Sequence, residues 1–152
     1  MTELYVMCGI PGSGKSTFSR SLAQEKQLER FSFDEMNYYS VNKFIHSSLK
    51  NVHDGKSIVI DSTNIYRNDR EKILRDVQDV NCKKVLVYMN TPLKECLYRN
   101  AHREARLPDH IVNRLHTELQ KPTFDEGWDE MIIVEEDEYR VIPSTTVTTM
   151  FE

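Results

Sequence analysis

Gly9-Ile10-Pro11-Gly12-Ser13-Gly14-Lys15-Ser16 fits the pattern GxxxxGK[ST] without a gap, and three of the chain's five glycines fall within it. Glycines at these positions let the backbone curl around a phosphate and aim several N–H groups inward. The helix that follows adds the partial positive charge of its N-terminus. In such a loop Lys15 reaches the β- and γ-phosphates, Ser16 ligates Mg²⁺ through its hydroxyl, and Thr17 assists at the α-phosphate. Gly9, Pro11, Gly12, Ser13, Gly14, Lys15, Ser16 and Thr17 are therefore the expected nucleotide contacts. The context agrees: residues 4–10 form an apolar run, and residues 15–28 place Phe18, Leu22 and Ala23 at helical spacing. The alternative is a plain glycine-rich strand-to-helix turn. A phosphate cradle also leaves the reaction undefined.

Outward from the loop, short apolar runs alternate with amphipathic stretches. Residues 31–34 can form only a strand or a turn. Residues 37–53 carry Val41, Phe44, Ile45 and Leu49 on one side, and residues 57–61 read as a buried strand around Ile58-Val59-Ile60. Asn68 and Glu71 resemble a capping box ahead of Ile73, Leu74, Val77 and Val80. Residues 84–90 form another buried strand. Thr91-Pro92 offers a capping hydroxyl and a proline at the first helical position, and Pro108 ends that helix. Ile111, Val112, Leu115 and Leu119 predict a helix over residues 109–120, and a last strand spans 130–135. The tail from residue 142 has β-favouring residues without a clear pattern; the stretch from residue 140 on is open to closing over a nucleotide base or pairing with an edge strand. Alternating strands and helices imply parallel pairing in a three-layer α/β sandwich, with ligands beyond the carboxyl ends of the strands.

The chain's 152 residues suit one domain over residues 1–152, and 39% hydrophobic with 29% charged residues excludes a disordered chain. A net charge of −4 argues against coating nucleic acid by bulk electrostatics, yet permits gripping a single phosphate or a strand end. No apolar run is long enough to span a membrane, and with a strand so close to the first Met no leader peptide is expected. Three cysteines without CxxC spacing predict reduced thiols in a cytoplasmic protein, with Cys8 in the core. The five histidines are scattered and suggest no zinc site. Trp128 and Phe124 are expected to pack the loop before the last strand, with base stacking as the alternative.

The remaining strand ends carry the reaction chemistry. Asp34 stands where a kinase needs a carboxylate to orient an acceptor hydroxyl and take its proton, or else it caps the next helix. Asp61 follows an apolar strand, the usual place for a partner to Mg²⁺. Thr63 and Asn64 are candidates for substrate contact, or for a simple turn. Arg99, Arg103 and Arg106 are spaced to share one helical face, where they would stabilise a transferring phosphoryl group; the alternative is a solvated face with Glu95 pairing Arg99.

The loop through Thr17, Phe33-Asp34, Asp61-Ser62-Thr63-Asn64, Arg99-Asn100 with Arg103, Leu107-Pro108 and residues 121–128 together resemble the small P-loop kinases related to polynucleotide 5′-hydroxyl kinases. That group also contains seryl-tRNA kinases and zeta-toxin-like sugar-nucleotide kinases. The resemblance spans residues 4–134. It implies an ATP- and Mg²⁺-dependent transferase with five parallel strands in the order 2-3-1-4-5, helices on both faces and a helical lid at about residues 99–120. It further implies Asp34 as general base, Arg103 at the transferring phosphoryl group and Arg99 near the nucleotide base. A nucleic-acid end is the expected partner, most simply the 5′-hydroxyl of DNA or RNA, with no membrane or obligate protein partner. The sequence departs from the group at residues 37–39, Asn-Tyr-Tyr, where a basic residue usually holds the acceptor phosphate. Arg67 or Arg70 is the expected substitute. A tRNA-borne serine, a modified-base hydroxymethyl group, a sugar nucleotide or a small metabolite are alternative acceptors, and a slow nucleotide switch is the non-transferase alternative.

Overall fold

A computed structural model describes residues 1–135 and 138–144. The strands are β1 (Thr2–Cys8), β2 (Glu29–Ser32), β3 (Ile58–Asp61), β4 (Cys82–Met89), β5 (Glu130–Glu135) and β6 (Glu138–Pro143). The helices are α1 (Lys15–Lys26), α2 (Phe33–Met36), α3 (Val41–His53), α4 (Arg67–Asp76), α5 (Leu93–Ala101) and α6 (Asp109–Glu118), with a 3₁₀ turn at Phe124–Glu126. The strands form one sheet in the order β2-β3-β1-β4-β5-β6. The first five are parallel in the expected order.

The sixth strand corrects the expected count of five. β6 pairs antiparallel with β5, so that Met131 faces Ile142 and Ile133 faces Arg140. Its residues are almost all exposed. With no buried face there is no hydrophobic alternation to betray a strand, which is why the sequence pattern is silent there. Residues 140–143 thus take the edge-pairing option; the remainder of the tail, 145–152, lies outside the described residues.

β1 shows why the sheet is a middle layer. Leu4, Val6 and Cys8 pack on one face with Phe44, Leu49, Ile73 and Trp128, while Tyr5 and Met7 pack on the other with Leu22, Leu28 and Val85. Each such buried aliphatic side chain contributes about 1.5–3 kcal/mol relative to exposure. Trp128 is buried before β5, as expected, and its indole N–H bonds Glu126 Oε1 at 3.2 Å. Above the strand ends a smaller cluster of Ile10, Ile65, Cys96 and Val112 seats α5 and α6.

Several element boundaries differ from the sequence reading, each for a local reason. β2 stops at Ser32, and Asp34 falls within the one-turn helix α2 rather than on a strand end. The helix expected from residue 37 starts at Val41, where the Ser40 hydroxyl accepts from the Lys43 N–H at 3.3 Å. The expected Asn68–Glu71 box does not form: α4 starts at Arg67 after Tyr66, and Glu71 pairs with Arg67 at 3.1 Å. Pro92 sits just before α5 rather than within it, and α5 ends at Ala101, well ahead of Pro108.

All three cysteines are free and buried. Burial pushes the Cys8 thiol up to about 12 and the Cys96 thiol up to about 11, and it raises Cys82 as well. Native protein treated with iodoacetamide at about pH 8 is therefore expected to remain unmodified while free cysteine reacts. Mass spectrometry should find all three thiols alkylated only after unfolding.

Candidate active site

The loop after β1 is shaped by two close approaches. Gly12 has φ +83°, and a Cβ there would lie 2.2 Å from the Cys96 carbonyl oxygen, so the loop backbone lies directly against α5. Gly14 has φ +97° and precedes α1, whose first turn has neither a capping side chain nor an acidic residue. A helix start left open in this way is suited to an anion. Ser13 Oγ is buried without a hydrogen-bond partner, the sole such side-chain atom among the described residues. An orphaned hydroxyl in the middle of the loop fits a phosphate oxygen as its missing partner. Thr91 Oγ1 donates to the Ser13 carbonyl at 2.8 Å, and the Gly9 N–H donates to the Thr63 carbonyl at 2.9 Å. The loop is thereby tied to the ends of β3 and β4.

Lys15 Nζ donates to the Ile10 carbonyl at 3.2 Å, closing the loop on itself. Burial pushes this ammonium below the ordinary lysine range, opposed by the charges of Asp61 and Asp34. An ammonium held with incomplete compensation is a strong electrostatic partner for phosphate oxygens. Gly12→Ala is expected to lower ATP affinity at least about tenfold, because its Cβ must push the loop off α5. Titration with a fluorescent nucleotide checks this.

A cleft of about 860 Å³ opens from this loop, lined by Lys15, Ser16, Thr17, Asp34, Asp61, Thr63, Arg99 and Arg103 among others. Asp61 is 5% exposed. Its Oδ2 accepts from Ser19 Oγ at 2.7 Å and from Arg30 Nη2 at 2.9 Å. Oδ1 is outside this network. Ser16 and Asp61 are the residues that would hold Mg²⁺, an oxygen-only pairing suited to a hard cation.

The Asp34 carboxylate is exposed into the cleft with Arg103 Nη2 3.9 Å away. Phe33 beside it packs edge-on against Phe44, with ring centroids 5.6 Å apart, which anchors α2 to α3. Arg99 pairs with Glu95 at 3.2 Å, yet a Cβ on Gly14 would meet its Nη1 at 2.9 Å, so the guanidinium also rests against the phosphate loop. The ion pair expected of a solvated face is therefore present, and it sits at the edge of the phosphate loop. The three arginines do not share one helical face, because α5 ends before Arg103. Arg106 instead pairs with Asp109 at 3.5 Å.

Thr63 and Asn64 line the cleft. Asn64 Nδ2 donates to the Met7 carbonyl and to Ser62 Oγ, each at 2.8 Å, which holds the loop in a left-handed turn at φ +45°. Both residues of the pair thus lie on the cleft, and Asn64 also holds the turn that carries Thr63. Of the two expected substitutes for the acceptor-phosphate residue, Arg70 is closed off by burial. Arg70 is fully buried against Glu126, and Arg67 is engaged by Glu71 and Asp125. Sequence reasoning missed Arg30 and Ser19, whose partners lie 31 and 42 residues away in the chain and leave no local signal. The far wall of the cleft is built by α3, which supplies Val41, Ile45 and His46, and by α4, which supplies Asp69, Lys72 and Asp76.

Fold and site define a P-loop α/β protein whose phosphate cradle, acids and arginines open into one cleft. Residues 4–51 and 34–126 match a family described as an AAA domain, and the chain belongs to that family. The L-seryl-tRNA(Sec) kinase of Methanococcus maripaludis is 25% identical over 145 residues, which covers 83% of this chain and 56% of the relative. The bifunctional polynucleotide phosphatase/kinase of Schizosaccharomyces pombe is 27% identical over 131 residues, covering 83% of this chain and 32% of the relative. The chain thus spans about half the length of the first relative and a third of the second. A gluconokinase structure from Sinorhizobium meliloti superimposes with a TM-score of 0.69 at 14% identity, over 97% of this chain and 87% of that one. It shows the shared fold. Among the described residues no helix is long and apolar enough to cross a membrane.

Proposed function

We propose that the protein is an ATP-dependent phosphotransferase that moves the γ-phosphate to a hydroxyl, with the 5′-hydroxyl of DNA or RNA as the first acceptor. The observation that carries this reading is the placement of Asp34 and Arg103, 3.9 Å apart, on the cleft that opens from Lys15 and the phosphate loop. A nucleotide switch needs no hydroxyl-directed carboxylate, whereas a kinase does. The loop N–H groups and Lys15 bind the triphosphate. Asp34 orients the acceptor hydroxyl and takes its proton as the acceptor oxygen bonds to the γ-phosphorus and the bond to ADP breaks. Arg103 stabilises the charge spread over the transferring oxygens. When bound, Mg²⁺ would neutralise charge on the β- and γ-phosphates, held by Ser16 and Asp61.

The relatives named for seryl-tRNA and for polynucleotides support an acceptor borne on nucleic acid. A second reading is a less anionic acceptor. The far wall sets Asp69 and Asp76 beside Lys72, and the two arginines that would bind an acceptor phosphate are engaged elsewhere. Incubation with γ-labelled ATP and 5′-hydroxyl oligonucleotides tests the first reading, and ADP release across a panel of hydroxyl compounds tests the second. Transfer to the oligonucleotides supports the proposal in full. Transfer only to small compounds moves the acceptor to the second reading, and transfer to none of them sinks the kinase reading.

A further inference from the structure

Arg30 lies on β2 with its side chain 12% exposed, and its guanidinium reaches three acceptors on three different elements. Nη2 donates to Asp61 Oδ2 at 2.9 Å, Nε to Ser19 Oγ at 2.7 Å, and Nη1 to Glu35 Oε2 at 2.8 Å. Glu35 is in turn held from its other oxygen by Arg20 Nη2 at 2.6 Å. Ser19 Oγ also lies 3.1 Å from the Ser16 carbonyl, so the network touches the backbone of the residue that would ligate the metal.

The position of α2 makes this network consequential. It is a single turn with no buried residue and no side-chain cap at its N-terminus. Beyond the packing of Phe33 and the long Asp34–Arg103 contact, it is the short ion pairs of Glu35 that hold it among the described residues. Asp34 precedes Glu35 in the chain, so whatever fixes Glu35 aims Asp34. The ladder adds a common reference, since Ser32 is in register with Asp61 across β2 and β3. A planar guanidinium bonded on all sides transmits position rather than charge alone.

We propose that Arg30 is a positioning residue for phosphoryl transfer: it locks Asp61 and, through Glu35, the helix that carries Asp34, so that the two acids keep a fixed mutual placement. This rests on the kinase reading above. A misplacement of about 1 Å at a reacting group can cost on the order of 100-fold in rate, so the link is of catalytic size.

The test compares Arg30→Gln, Arg30→Lys, Glu35→Ala and the double variant Arg30→Gln/Glu35→Ala in the full chain. Arg30→Gln is expected to lower kcat about 10- to 100-fold while KM for ATP stays within about threefold. Arg30→Lys should recover part of the loss, because a point charge can pair with Asp61 without bridging to Glu35. The double variant should be no slower than Arg30→Gln alone, since both remove one linkage. Additive losses, an effect confined to KM for ATP, or an unchanged kcat would each overturn the proposal. A crystal structure of Arg30→Gln reads the same claim without activity. Displacement of Asp34 by about 1 Å or more supports it, and an unmoved α2 overturns it. If the wild-type chain transfers to no acceptor, the kinase reading fails, and the catalytic role of Arg30 falls with it whatever α2 does.

Discussion

Asp34→Asn is expected to lower turnover by about 10²- to 10⁴-fold with the proposed acceptor while ATP affinity changes by no more than about twofold. The carboxylate is exposed into the cleft and, among the described residues, acts on Lys15 of the phosphate loop through its charge, so its loss is expected to leave nucleotide binding largely intact. Asparagine keeps the size and one hydrogen-bond acceptor but cannot take a proton. It also leaves Arg103 without its partner 3.9 Å away, which slightly strengthens attraction for the triphosphate. Steady-state kinetics paired with nucleotide titration separates the two effects. A variant with full turnover would remove Asp34 from the chemistry and with it the case for a hydroxyl acceptor. Arg103→Ala should lower kcat as well, but with less than additive effect in combination with Asp34→Asn, because the two side chains flank one reacting group.

The largest stability effect is expected at Arg70→Met. Arg70 and Glu126 have fully buried side chains and pair through Nε at 2.8 Å and Nη2 at 2.9 Å. Arg70 also donates to the Asn64 carbonyl at 3.0 Å and the Gln120 carbonyl at 2.9 Å. Glu126 accepts further from the Thr123 N–H and the Trp128 indole. Removing one partner strands the other charge without solvent, a loss of about 3–5 kcal/mol. Against a total stability of about 5–15 kcal/mol, that predicts a fall in Tm on the order of 10 °C, read by calorimetry. Activity should fall too, because the Asn64 carbonyl anchors the turn that presents Thr63.

The same pair sets an acid limit. Burial by itself would raise the Glu126 carboxyl, but the Arg70 guanidinium and the Thr123 N–H outweigh burial and hold it below the usual carboxylate range. A carboxyl depressed on folding contributes stability that is complete above its unfolded value of about 4.3 and is lost as pH falls through the folded value. Unfolding midpoints measured downward from about pH 5 should therefore decline more steeply in the wild type than in Glu126→Gln.

The motif around Lys15 and the order of apolar runs were enough to place a phosphate loop between a strand and a helix and to expect parallel strands around it, while the order of the five parallel strands came from the resemblance to the small P-loop kinases. Both features are local or periodic. A glycine pattern reports its own backbone needs, and a strand buried on both faces writes itself as a continuous apolar run. Asp34 and Asp61 were also legible as candidates, because the carboxyl ends of parallel strands lie on one edge of the sheet, and Arg99 and Arg103 through their helical spacing.

Tertiary structure decided what those residues touch. Arg106 pairs with Asp109, although spacing alone had joined it to Arg99, while Arg103, also beyond the end of α5, lines the cleft. Arg70 looked like a free cation for an acceptor phosphate and is instead locked against Glu126, 56 residues away. Arg30 carried no signal at all, yet it bridges Ser19, Asp61 and Glu35. β6 stayed hidden because an exposed edge strand needs no hydrophobic face. The physical reason is common to these cases. Periodicity and local turn chemistry act over a few residues of chain and can be read in order. The partner of a charged side chain is chosen by burial and geometry between segments far apart in the chain, which exist together only once the sheet and its helices have assembled.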